Sequence, residues 1–177
     1  METPPVSPRS LAFIAAILIL IPTSAWAAPE PVRSVDLDRF MGRWHEILRT
    51  PNNHQRNCWA ASQVWSRRED GRFSIRQTCH RGSRTGRIQT FDTTARVLNP
   101  PQNTKFEASF FGGLIRQRYW VIDHADDYSW MIATTADGEF PALLSRSPTM
   151  TAGEVGRLRR RVGELGLPTA ALTPSER

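Results

Sequence analysis

A chain of 177 residues is of a length for one domain, and its hydrophobic share of 40% is enough for one core. The formal charge of +6 comes from 23 basic against 17 acidic residues, with Lys105 the sole lysine. The arginines are scattered through the pattern, which fits a solvated basic surface or a contact with anionic lipid headgroups; no nucleic-acid motif accompanies the charge, so that partner is set aside.

Residues 1–27 read as a signal peptide. Arg9 precedes an apolar run from Leu11 to Ile21, a length that suits a secretory core and is too short to span a bilayer. Ala25-Trp26-Ala27 places small residues where a signal peptidase reads, so cleavage is expected before Ala28. Residues 28–177 then form the mature domain, with its core between about 35 and 167, exported to the periplasm and its oxidising conditions. No cysteine stands near the cleavage point to carry a lipid anchor.

Val35–Phe40 predicts a short helical turn leading to Gly42. Strand patterns follow over Trp44–Thr50, Ala61–Arg68, Phe73–His80, Gly86–Leu98, Lys105–Phe111, Arg118–Asp123, Trp130–Thr135 and Phe140–Ser145. Asp70-Gly71, Asn99-Pro100-Pro101 and Gly112-Gly113 mark turns between them. Cys58 and Cys79 flank the Asp-Gly hairpin at nearly matched heights, and a bulge or frayed end there would bring them to bonding distance; a disulfide is expected. Two cysteines without C-x-x-C spacing are too few for a metal site, and no cofactor motif occurs.

Eight strands at hairpin spacing, with no helix between them, close most economically as an antiparallel up-and-down barrel. One C-terminal helix follows. Thr151 and Glu154 have capping-box spacing, Val155, Leu158, Val162 and Leu165 form an apolar stripe, and Gly166 and Pro168 stop the helix. The stripe suits packing on the outside of the barrel. Ala170–Arg177 reads as a loose tail.

Three motifs, in this order, carry a family resemblance: Gly42-Arg43-Trp44 with His45-Glu46-Ile47; Tyr119-Trp120-Val121-Ile122-Asp123 with Asp127-Tyr128; and Leu144-Ser145-Arg146-Ser147-Pro148. Ser109-Phe110-Phe111-Gly112 adds a fourth segment. Together they resemble the lipocalins, in particular the bacterial and apolipoprotein-D-like branch. The resemblance implies that Arg146 lies over Trp44, beside Gly42, to close the narrow end of the barrel. It also implies a non-catalytic carrier of a small hydrophobic ligand, a fatty acid or (lyso)phospholipid, for envelope maintenance near the outer membrane; it allows a dimer and leaves the oligomeric state open. Ala142 and Pro141 depart from the family pattern, so the last strand is expected to be irregular.

Alternation from Trp44 sends Glu46 and Leu48 inward with it. Phe91, Phe106, Ala108, Phe110, Tyr119 and Val121 supply the rest of an apolar cavity wall. Arg56, Arg84 and Arg116 are candidates for a headgroup at the mouth. Two other function classes are open: an enzyme or haem binder using His45, His54, His80 or His124, and a module that docks on a membrane through the arginines of the helix.

Overall fold

The computed structural model describes residues 27–175; the expected signal peptide lies outside the described residues except for Ala27. The Asp36 side chain accepts hydrogen bonds from the Asp38 and Arg39 amides and so caps the turn α1 (Leu37–Phe40), as a short acidic N-cap does. The turn delivers the chain to β1 (Gly42–Arg49). There follow β2 (Cys58–Arg67), β3 (Phe73–Arg81), β4 (Ile88–Val97), β5 (Lys105–Phe110), β6 (Ile115–His124), β7 (Trp130–Thr135) and β8 (Ala142–Ser145). Each strand pairs antiparallel with the next, and β1 pairs with both β8 and β2, so the eight strands close into a barrel. The helix α2 (Ala152–Glu164) then packs on the outside, with its capping box formed between Thr151 and Glu154.

Two apolar cores flank the sheet. Inside, Phe40, Trp44, Trp65, Phe73 and Phe106 fill the end of the barrel that α1 enters. Phe106 is stacked on Phe40 with ring centroids 5.5 Å apart, and Trp65 meets Phe106 edge-on at 5.3 Å. Outside, Ile47, Leu48, Ile122, Ile132 and Leu143 seat α2 through Leu158 and Val162, both fully buried. Asp123, itself buried, receives Arg161 from α2 at 2.9 Å and Arg33 from the N-terminal segment at 3.1 Å, tying both to β6. Cys58 and Cys79 form the disulfide beside a register shift between Trp59 and Ser62, where Ala60 takes a positive φ.

Two expectations are corrected. Leu48 does not face inward with Trp44 and Glu46. A bulge between Glu46 and Leu48 puts an extra residue into β1, so Leu48 pairs with the outward Leu143 and packs under α2, while Arg49 turns inward opposite Ala142. The tail is not loose. Leu172 and Ser175 are buried, and β9 (Thr173–Pro174) pairs with Leu48 and Arg49, along the edge of β1 that β2 has left. The irregular last strand does occur: β8 is four residues long and starts after Pro141.

Candidate ligand cavity

The floor is set by Gly42, Trp44 and Arg146. The Arg146 guanidinium lies 3.7 Å above the Trp44 ring. Its Nη1 donates to the Arg43 carbonyl at 2.8 Å, and its Nη2 to the Arg39 and Phe40 carbonyls at 2.6 and 3.1 Å. Trp44 Nε1 donates to the same Phe40 carbonyl at 2.9 Å. Gly42 has φ +94°, a backbone conformation that favours glycine, and a Cβ there would meet Arg146 Nη1 at 3.4 Å, an ordinary contact distance. This end of the barrel is shut.

The loops of residues 50–57, 82–87, 111–114 and 136–141 ring the opposite end. Below them the inward positions follow by alternation from the buried Trp65, Ile75 and Val121. Phe91 and Phe110 are inward and stacked at 5.8 Å. Tyr119 is inward between Phe106 and Thr135 in register, yet 37% of it is exposed. A wall residue in mid-strand keeps that exposure only where the barrel above the floor is hollow. Protein still surrounds it on the other sides, and this burial pushes the phenol pKa up to about 12.

Of the other wall residues read from the sequence, Phe106, Ala108 and Val121 face inward but are buried in the floor. Glu46 faces inward and is bonded to Arg49 at 2.7 Å and to Gln55 Nε2 at 3.1 Å. Arg49 is an inward cation that alternation alone did not reveal, because the bulge placed it. It also donates to the Gln55 and Cys58 carbonyls and to Ser175 Oγ, so its donors are taken. Gln63, Gln77 and Gln117 were missed as well. Gln63 and Gln77 are direct partners across β2 and β3, and Gln117 stands opposite Ala108. Their signal was in plain view: each lies two residues from an apolar inward position. Together the wall is aromatic on β4–β6 and carries amides on β2, β3 and β6.

Arg116 is corrected: it lies on the outer face with its guanidinium toward Glu107, 3.6 Å away. His45, His80 and His124 do not converge on the hollow, and the His54 side chain lies outside the described residues. His45 points outward on β1, and burial, with Arg43 nearby, lowers its pKa. His80 is outward on β3, and His124 is buried at the shut end, its ring nitrogens 2.8 and 3.0 Å from the Ala125 and Ser34 carbonyl oxygens. Among the described residues no cluster of His, Cys, Asp or Glu could hold a metal, and no helix is long and apolar enough to cross a membrane. A separate groove of about 770 Å³ runs over the outer face of β2–β5, where its floor is mainly hydroxyls and Arg76–Asp92 pairing.

Residues 35–177 match the family model described as a lipocalin-like domain. The chain belongs to the lipocalin family. As a lipocalin it is 27% identical over 149 residues to the outer membrane lipoprotein Blc of Escherichia coli strain K12, covering 81% of this chain and 83% of that protein. Its fold is similar to the cockroach allergen Per a 4, with a TM-score of 0.65 at 13% identity, over 86% of this chain and 95% of that one. It is similar also to insecticyanin of the tobacco hornworm Manduca sexta, with a TM-score of 0.65 at 15% identity over 84% of each chain.

Proposed function

We propose that this lipocalin is a non-catalytic carrier of an elongated amphiphile, a fatty acid or lysophospholipid, in the bacterial cell envelope. The observation that carries the reading is Tyr119: an aromatic on the inner wall, above an aromatic floor, that remains open to solvent. Phe91, Phe110 and Tyr119 offer an acyl chain apolar contact. Gln63, Gln77 and Gln117 offer amide donors to a carboxylate or phosphate, with no buried cation spent on it. The envelope setting rests on the similarity to an outer membrane lipoprotein and on the leader read from the sequence.

The test is displacement of a fluorescent fatty acid, combined with mass analysis of lipid extracted from the protein purified from its host. Saturable binding and a co-purifying acyl species are expected. Gln117→Trp, which puts an indole into the hollow above Ala108, should weaken binding about tenfold, equivalent to roughly 1.4 kcal/mol. No bound acyl species and no displaceable probe would overturn the carrier reading.

A further inference from the structure

The exposed large apolar side chains are not spread over the molecule. Ile88, Phe111, Leu114, Ile115 and Phe140 all stand at the open end of the barrel, and Leu114 is 87% exposed. Among the described residues, the remaining ones are Tyr119 just inside and Val32 on the flank. A gathered apolar patch of this kind marks a contact surface.

The charge around the patch differs from that of the flank. On the outer face of the sheet, Arg72, Arg76, Arg96 and Arg118 are bonded to Asp70, Asp92 or Glu107. At the rim, Arg56, Arg81, Arg84 and Arg87 have no carboxylate within 4 Å among the described residues. Arg56 donates to Asn53 Oδ1, and Arg81 to the Arg56 carbonyl. Two carboxylates, Asp137 and Glu139, stand on the 136–141 loop, and Asp137 is engaged by Thr135 and by the Glu139 amide. The rim thus combines exposed apolar tips with an excess of unneutralised guanidinium groups.

The N-terminal segment also passes this rim on the outside, before it runs down the flank to α1 at the shut end. The Ala28 amide donates to the Ala136 carbonyl at 2.9 Å, and Ala28 lies against Gly138.

We propose that the open end is a docking surface for an anionic lipid bilayer, with Phe111 and Leu114 entering the interface and Arg84 and Arg87 meeting the headgroups. Charge complementarity selects that occupant: apolar tips ringed by free cations match a surface that is greasy below and negative above. A basic helix would be the other route to a membrane, but α2 exposes Arg157 and Arg160 with no large apolar residue beside them. The surface stands on the rim alone and does not depend on what the cavity holds.

The experiment is co-sedimentation of the purified protein with phosphatidylcholine vesicles, with and without 30% phosphatidylglycerol at roughly 0.1 M salt. Binding to the anionic vesicles is expected, weakening as salt rises. Phe111→Asp with Leu114→Asp should lower it about tenfold or more, as should Arg84→Glu with Arg87→Glu, while Arg157→Glu with Arg160→Glu leaves it near the starting level. No binding to anionic vesicles, full binding by the rim variants, or loss on the helix variant alone would each overturn the proposal. So would self-association of the parent in solution that the rim variants abolish without a vesicle effect, since the occupant would then be a second copy. Fatty-acid displacement on the unsubstituted protein separates the two readings: no displaceable probe with anionic-vesicle binding intact sinks the carrier and spares the dock.

Discussion

Arg146 makes four contacts with one planar group. It covers the Trp44 ring and donates to three carbonyls that α1 and β1 leave without strand partners. A lysine retains the charge but has neither the flat face nor the fork. Arg146→Ala should lower stability by about 2–4 kcal/mol, from the lost stack and the lost charge-assisted hydrogen bonds. In a domain of this size that is roughly 4–16 °C in Tm. Arg146→Lys should recover part of it. Thermal melts followed by circular dichroism check both, and melting of the alanine variant at the parent temperature would show that the stack carries no weight. The cavity should tolerate the change: fatty-acid affinity, measured below the melt, stays within a few-fold because no inward wall residue moves.

At the scale of elements, the strands and their order were readable from period-two alternation and turn residues, and α2 from its capping box and stripe. What escaped was whatever breaks the period or joins distant segments. The bulge in β1 is one added residue, invisible in composition, and it exchanged the faces of Leu48 and Arg49. The pairing of β9 with β1 joins residues more than a hundred positions apart, and Thr173-Pro174 has no strand signature of its own. At the cavity, the aromatics of the wall were legible, whereas the inward glutamines were passed over because a search for grease skips amides. The tail now has a measurable role. A chain ending at Ala171 loses the buried Leu172, the β9 pairing and the Ser175 contact with Arg49. It should be less stable by about 2–4 kcal/mol in urea unfolding. An unchanged urea midpoint would mean that the tail merely rests on the barrel.

Across the whole molecule, the excess of arginine is divided between paired and unpaired groups. Glu107 is the main acceptor on the flank, buried beneath Arg96, Arg116 and Arg118. Its hydrogen bond from Arg96, then that from Arg118, holds its carboxyl below the usual glutamate range against the cost of desolvation. A pKa lowered on folding adds stability that is complete above the unfolded-state value and is lost as pH falls through the folded one. Glu107→Gln should therefore be less stable than the parent at neutral pH, and the gap should close between about pH 5 and pH 3. Denaturant titrations at pH 7, 5 and 3 measure it; a gap independent of pH would assign the loss to packing.

The two-residue β9 has a further consequence for how the barrel comes into being. The upper edge of β1, made early, stays without its second neighbour until residues 173–175 are available to lie along it. A chain whose residues 173–175 are not yet in place can hold every strand of the meander and still leave that slot vacant, an invitation to any extended segment nearby. The seam of β1 beside Leu48 and Arg49 is thus covered only once residues 173–175 lie along it.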